Sequence, residues 1–190
     1  MLREACAQAV QWGFERRGLC MSVNVSPLQF ELPDFVQTVR SVLEYTGLNA
    51  RHLILEVTES LVMHDLERAQ THMRDLRALG VQIAMDDFGT GYSSLSMLQA
   101  LPFDQLKIDR SFTNALTGPR GPRVTALMTA MIQLAQTLDM TVTVEGIETE
   151  EQRRILAGLG CDAAQGFLLS RPLPPAQAAE LIPDASPAPS

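Results

Sequence analysis

Lysine is almost missing from this sequence. Lys107 is the only one in 190 residues, and all the other basic side chains counted with it are arginine. Cysteine is scarce too: Cys6, Cys20 and Cys161 are odd in number, far apart and without a CxxC spacing. That excludes a disulfide framework and a thiolate zinc site, and the three read as reduced thiols of a cytoplasmic protein. No apolar run approaches the ~20 residues of a membrane span, and no secretory signal opens the chain. Positive charge is also short. A net charge of -7 argues against a DNA-binding surface, which needs a clustered positive field. It does not exclude a small phosphate-bearing ligand held by metal ions.

What is present is a core. Hydrophobic residues make up 46% of the chain, enough for one domain, expected over residues 1–182. The Pro/Ala/Ser-rich tail, 183–190, is expected to be disordered. Helical and strand patterns alternate from end to end. Helices are expected over Leu2–Arg16, Phe35–Tyr45, Leu66–Leu79, Leu95–Leu101, Val124–Leu138 and Glu150–Leu159. Strands are expected over Leu19–Val25, His52–Val57, Val81–Met85, Gln105–Ile108, Thr141–Val144 and Ala163–Gly166. Strands separated by single helices imply an α/β fold with parallel pairing.

The chain is organised around the stretch 81–94. Its apolar strand runs into adjacent carboxylates, Asp86 and Asp87, and then a turn containing Gly89 and Gly91. Two like charges side by side raise one another's pKa unless a cation separates them, and hard divalent metals are the usual partners. Capping of the next helix is the alternative. Polar residues also mark the C-terminal ends of the other strands: Asn24, Glu56, Lys107 with Asp109, Glu145 and Gln165. In a parallel barrel these ends share the face where active sites lie. Lys107, flanked by Leu106 and Ile108, needs anionic neighbours if buried, and a compact ammonium suits orienting a water or a phosphate oxygen. A structural ion pair is the other reading. Lys107 and Asp109 are two apart on one strand and so point to one side. His52, His64 and His72, at a strand start or on helices, read as structural or solvated.

Taken together, Asn24-Val-Ser26, Glu56-Val-Thr-Glu59, Asp86-Asp-Phe-Gly-Thr-Gly91, Lys107-Ile-Asp109, Val144-Glu-Gly-Ile-Glu148 and Gln165-Gly-Phe167 resemble the ordered motifs of the EAL domain. The resemblance runs from about Leu2 to Leu173. It implies a bacterial, metal-dependent phosphodiesterase that hydrolyses cyclic di-GMP to linear pGpG, built on a TIM-like (β/α) barrel with one strand reversed. It also implies two Mg2+ or Mn2+ ions. Position by position, Asn24, Glu56 and Asp86 would hold the first ion. Asp86 would bridge to the second, with Asp87 beside it and Glu145 reaching that ion. Lys107 would orient the attacking water and Gln165 would support the site. Glu59, pointing away from Glu56 in a straight strand, would anchor the Phe88–Ser94 loop, with Asp109 and Glu148 in similar supporting places. An oxygen-rich donor set without thiolate or clustered histidine favours Mg2+ or Mn2+ over zinc.

The Glu-Ala-Leu triplet that names the family is absent. Six strands are expected where a closed barrel needs eight, so the chain reads as an EAL domain lacking its first strands. Two functional classes follow: the phosphodiesterase, and a non-catalytic module that binds cyclic di-GMP or a partner protein. The resemblance further implies upstream sensory or GGDEF-type domains, and the 87–94 loop suggests a homodimer.

Overall fold

The computed structural model describes residues 1–91 and 95–183. Tyr92, Ser93 and Ser94 of the expected loop, and residues 184–190 of the expected tail, lie outside the described residues.

The first expected helix is two. α1 (Leu2–Gln11) stops before Gly13, whose left-handed φ of 68° breaks the helical path, and α2 (Phe14–Arg17) follows as one turn. After β1 (Met21–Asn24) comes α3 (Pro27–Phe30), which periodicity could not reveal at four residues. It is set by a capping box between Ser26 and Gln29 and by Pro27 in its first turn. α4 (Phe35–Thr46) and a 3-10 turn at Ala50–His52 lead to β2 (Leu53–Thr58). α5 (Glu59–His64) begins where that strand ends, and α6 (Leu66–Leu79) runs from an Asp65 side-chain cap to Gly80. β3 (Gln82–Phe88) is followed by α7 (Leu95–Ala100), β4 (Gln105–Ile108), α8 (Arg110–Ala115) and α9 (Gly121–Thr137). β5 (Thr141–Val144), α10 (Glu150–Leu159), β6 (Ala163–Ala164) and α11 (Pro175–Leu181) complete the order.

The chain divides into two compact units. The first contains Met1–Val57, Leu61–Ile83 and the chain from Leu173. Here β1 and β2 pair in parallel, Met21 opposite Leu53 through Asn24 opposite Glu56. α1 packs on β1 and α4, and α4 on α6, burying Cys6, Ala9, Val39, Leu53, Leu55, Met73 and Leu76. Each large apolar side chain so buried contributes about 1.5–3 kcal/mol relative to exposure. The three histidines all lie in this unit. His72 is buried beside Phe30 and Phe35, its Nδ1 donating to the Phe30 carbonyl. His52 donates to the Leu19 carbonyl, and His64 faces Glu31 at the surface.

The second unit contains Thr58–Ser60 and Ala84–Pro172. Its strands follow chain order, β3-β4-β5-β6, all parallel. α9 covers β5 and carries α8 and α10 against itself. Met85, Leu106, Ile108, Met128, Ile132, Val142, Val144, Ile147 and Leu156 form its core. β4 and β5 are buried at three successive positions each, as strands covered on both faces are. The fold is α/β, with parallel strands alternating with helices as the sequence predicts.

Candidate active site

The acidic pair depends on an irregularity in β3. Met85 pairs with Leu106 and Phe88 with Ile108, and the register shifts between them. Asp86 and Asp87 therefore stand together opposite the single residue Lys107, the two-against-one arrangement of a β-bulge. Asp87 takes up the extra residue in a left-handed conformation, φ 55°. In a regular strand neighbouring side chains leave on opposite faces; the bulge cancels that alternation. One carboxylate oxygen each from Asp86, Asp87 and Glu145 can lie within 4.8 Å of the other two.

Lys107 stands between two of the three. Its Nζ lies 2.9 Å from Asp86 Oδ1 and 2.7 Å from Glu145 Oε1, and the lysine is only 5% exposed. β4 delivers it there because Lys107 pairs in register with Thr143, two residues before Glu145. Glu145 itself follows β5, its N–H donating to the Ile108 carbonyl at 3.0 Å. Burial pushes the Asp87 carboxyl above its ordinary range, and the charges of Asp86 and Asp109 add to the rise, against Lys107 and Arg110. A second positive charge near Asp86 and Asp87 would relieve that repulsion. The three carboxylates offer only oxygen donors, which suits a hard cation such as Mg2+ or Mn2+.

Asp109 does not join the clasp as a partner of Lys107. β4 ends at Ile108, and the Asp109 carboxylate caps α8, accepting the Ser111 N–H at 2.9 Å. Burial raises its carboxyl, but the Ser111 and Arg110 hydrogen bonds and the Arg110 charge outweigh this and hold it below the ordinary range. Glu59 is not on a straight strand either. β2 ends at Thr58 and Glu59 opens α5, where an acid suits the positive end of the helix. It is buried, and its carboxylate lies against the backbone of Gly91, where an added Cβ would stand 2.6 Å from Oε2.

Gln165 and Glu148 have exposed side chains, and among the described residues their hydrogen bonds run through the main chain. Gln165 N–H donates to the Val144 carbonyl, its carbonyl accepts from Ile147, and Glu148 N–H donates to Gln152 Oε1. In the first unit, Asn24 and Glu56 are register partners at the ends of β1 and β2, with Glu56 buried and Asn24 exposed. The Val25 N–H donates to the Glu56 carbonyl at 2.9 Å, which continues the ladder past Asn24.

Sequence reasoning missed Thr113 and Gln152, which hold the Glu145 segment. The Thr149-Glu-Glu-Gln152 spacing is a capping box and could have marked Gln152; nothing in the sequence distinguishes Thr113.

The EAL domain family model matches residues 1–172. A bifunctional diguanylate cyclase/cyclic di-GMP phosphodiesterase, MucR of Pseudomonas aeruginosa, is 44% identical over 178 residues, 93% of this chain and 26% of that protein. The solved structure of the PaMucR phosphodiesterase in complex with c-di-GMP superposes with a TM-score of 0.87 at 44% identity, over 93% of this chain and 71% of that one. BlrP1 of Klebsiella pneumoniae, solved with manganese and cyclic di-GMP, gives a TM-score of 0.80 at 30% identity, covering 90% of this chain and 43% of that one. The chain thus spans about a quarter of the MucR relative's length. Among the described residues, no helix is long and apolar enough to cross a membrane.

Proposed function

The chain belongs to the EAL domain family and has the α/β fold of solved EAL domains, and we propose that it hydrolyses cyclic di-GMP to linear pGpG with the help of Mg2+ or Mn2+. The observation that carries this reading is the clasp of Lys107 by Asp86 and Glu145 with Asp87 alongside. It is an oxygen-only donor set with one buried ammonium already among the carboxylates.

In this reading Asn24, Glu56, Asp86, Asp87 and Glu145 would hold two divalent ions. When bound, such ions polarise a phosphodiester and lower the pKa of an attacking water. Asp86 would be a ligand to both. The Lys107 ammonium, buried and held by two carboxylates, orients the attacking water and offers its charge to the phosphate oxygens. Gln165 supports the site at the end of β6. Glu59 restrains the loop beginning at Phe88 through its contact with Gly91. Asp109 fixes the start of α8 beside Asp87, and Glu148 keeps the Glu145 segment attached to Gln152. The net negative charge of the chain would repel an anionic dinucleotide, so bound cations supply most of the attraction.

The test is release of pGpG from cyclic di-GMP by the purified chain with Mg2+ or Mn2+, beside a sample in EDTA. Nucleotide binding in Ca2+ is measured in parallel. Turnover that EDTA abolishes supports the phosphodiesterase. Tight binding with no turnover in any metal supports the non-catalytic module instead, and neither binding nor turnover removes cyclic di-GMP as the ligand. A homodimer and a parent protein with GGDEF-type or sensory domains belong to the same proposal, and sedimentation of the chain tests the first.

A further inference from the structure

Glu145 leaves β5 at the head of a segment, Glu145–Thr149, whose main chain is tied at both ends by side chains without a part in the proposed chemistry. Thr113, in α8, is completely buried, and its hydroxyl donates to the Glu145 carbonyl at 2.6 Å. Gln152, in the first turn of α10, is 5% exposed. Its Oε1 accepts from the N–H groups of Glu148 at 2.8 Å and Thr149 at 3.0 Å. Its Nε2 donates to the Thr113 carbonyl at 3.1 Å.

A glutamine at this place in a capping box ordinarily stops at the N-cap amide. Here it also reaches α8, so that Glu145, Thr113, Gln152 and Glu148 form one closed hydrogen-bonded circuit. Between the tied ends, Gly146 has φ +76°, and a Cβ on it would lie 2.3 Å from Arg110 Cβ. The Glu145 backbone therefore cannot slide or rotate without breaking a buried hydrogen bond or striking α8. Its carboxylate is the one ligand of the acidic cluster that does not come from the β3 bulge, so its alignment with Asp86 and Asp87 depends on this circuit.

We propose that Thr113 and Gln152 are positioning residues that set Glu145 for a divalent cation, a role resting on the metal-binding reading of the acidic cluster. Partners of metal ligands commonly govern affinity by about 10–100-fold. Neither side chain contacts the reacting atoms in this proposal; both act through the Glu145 main chain.

The experiment compares Thr113→Val, which removes the hydroxyl at nearly constant shape, with Thr113→Ser, which restores it. Mn2+ is titrated calorimetrically into the metal-free chain without nucleotide, and thermal unfolding in EDTA establishes that each variant is folded. Because Lys107 is the only lysine, a chain carrying 13C-labelled lysine gives one side-chain resonance, read at fixed pH as a report on the Glu145 clasp. The expected result is Mn2+ affinity about tenfold weaker in Thr113→Val and within about twofold of wild type in Thr113→Ser, with the lysine resonance moving and returning in step. Unchanged Mn2+ affinity in a folded Thr113→Val chain overturns the proposal. If wild type itself takes up no Mn2+, the metal reading has failed; positioning is then judged by the resonance alone, and a resonance unmoved in Thr113→Val overturns it. Should Thr113→Val not fold, Gln152→Glu keeps the oxygen that accepts from Glu148 and Thr149 but sets a charged oxygen against the Thr113 carbonyl, which breaks the tie to α8, and the same criteria apply to it.

Discussion

Lys107 Nζ sits 2.7 Å from Glu145 Oε1, a buried ammonium in the place where a carboxylate would otherwise face other carboxylates. With Asp86 at 2.9 Å on its other side, the lysine offsets part of the cluster's negative charge from within. That arrangement makes opposite demands with and without metal. In metal-free protein the lysine is a structural partner. Near a divalent ion the same ammonium would become a competing cation, and the proposed role would turn it toward water or phosphate.

Lys107→Ala should therefore separate the two roles. In EDTA the variant loses about 3–5 kcal/mol of stability, the usual cost of leaving a buried charge without its partner. Mn2+ should return part of this, because the ion replaces the missing positive charge, and Mn2+ affinity should hold or rise. Turnover should fall by about 2–4 kcal/mol of transition-state stabilisation. Chemical denaturation with and without Mn2+, beside pGpG release, measures all three. Wild-type turnover in the variant would leave Lys107 with the ion-pair role alone.

Asp86→Asn tests the proposed bridging ligand. The amide is isosteric and removes the repulsion with Asp87, while Lys107 keeps Glu145, so unfolding in EDTA should change little. Metal-dependent hydrolysis should vanish. Equal activity in the Asn variant would rule out a bridging carboxylate at this position.

How much of this was legible in the chain follows the length of each pattern. β4, β5, α6 and α10 have the bounds that the sequence predicts, because β-branched or flanking apolar residues and long amphipathic turns mark them. α3 and α8 are one or two turns, too short for a period to register, and their starts depend on local caps, a Ser26–Gln29 box and the Asp109 side chain. The acidic residues were visible as a group, and Lys107 stood out by being the only lysine. Their mutual geometry was not visible. It hangs on one extra residue in β3, and a bulge leaves no mark in hydrophobic alternation. The helical start at Glu59 was hidden for a related reason: apolar Val57 continues the strand pattern, while the turn into α5 is a local backbone event.

Gly166 is expected to tolerate nothing larger. A Cβ there would fall 2.1 Å from the Ile147 carbonyl oxygen and 2.2 Å from its nitrogen, backbone atoms that cannot swing aside. Gly166→Ala should cost about 1–3 kcal/mol or more, as overpacking does, and should weaken the Ile147–Gln165 bond that holds the end of the Glu145 loop. Gly158→Ala is the control. Gly158 lies in α10 with nothing within 4 Å of its added Cβ, so it should stabilise by roughly 0.5–1 kcal/mol through helix propensity. Chemical denaturation of both variants checks the pair; equal effects would mean that the contact at Ile147 yields freely.

The bulge makes the last prediction, because Asp87 carries both a strained backbone and a repelled charge. Its φ of 55° is a conformation that asparagine and aspartate accept more readily than other side chains. Its carboxyl is raised by burial and by Asp86 and Asp109, so removing the charge should favour the metal-free fold. Asp87→Asn removes the charge and keeps the backbone tolerance; in EDTA it should be at least as stable as wild type. Asp87→Ala removes the same charge but must place an ordinary Cβ in the left-handed region, which costs about 1–2 kcal/mol. The difference between the two variants in chemical denaturation thus isolates the backbone contribution, while both should bind Mn2+ more weakly than wild type for want of one carboxylate. If Asn and Ala are equally stable, the bulge is not held by the conformational preference of residue 87. Its two-against-one register would then have to come from the strands that flank it.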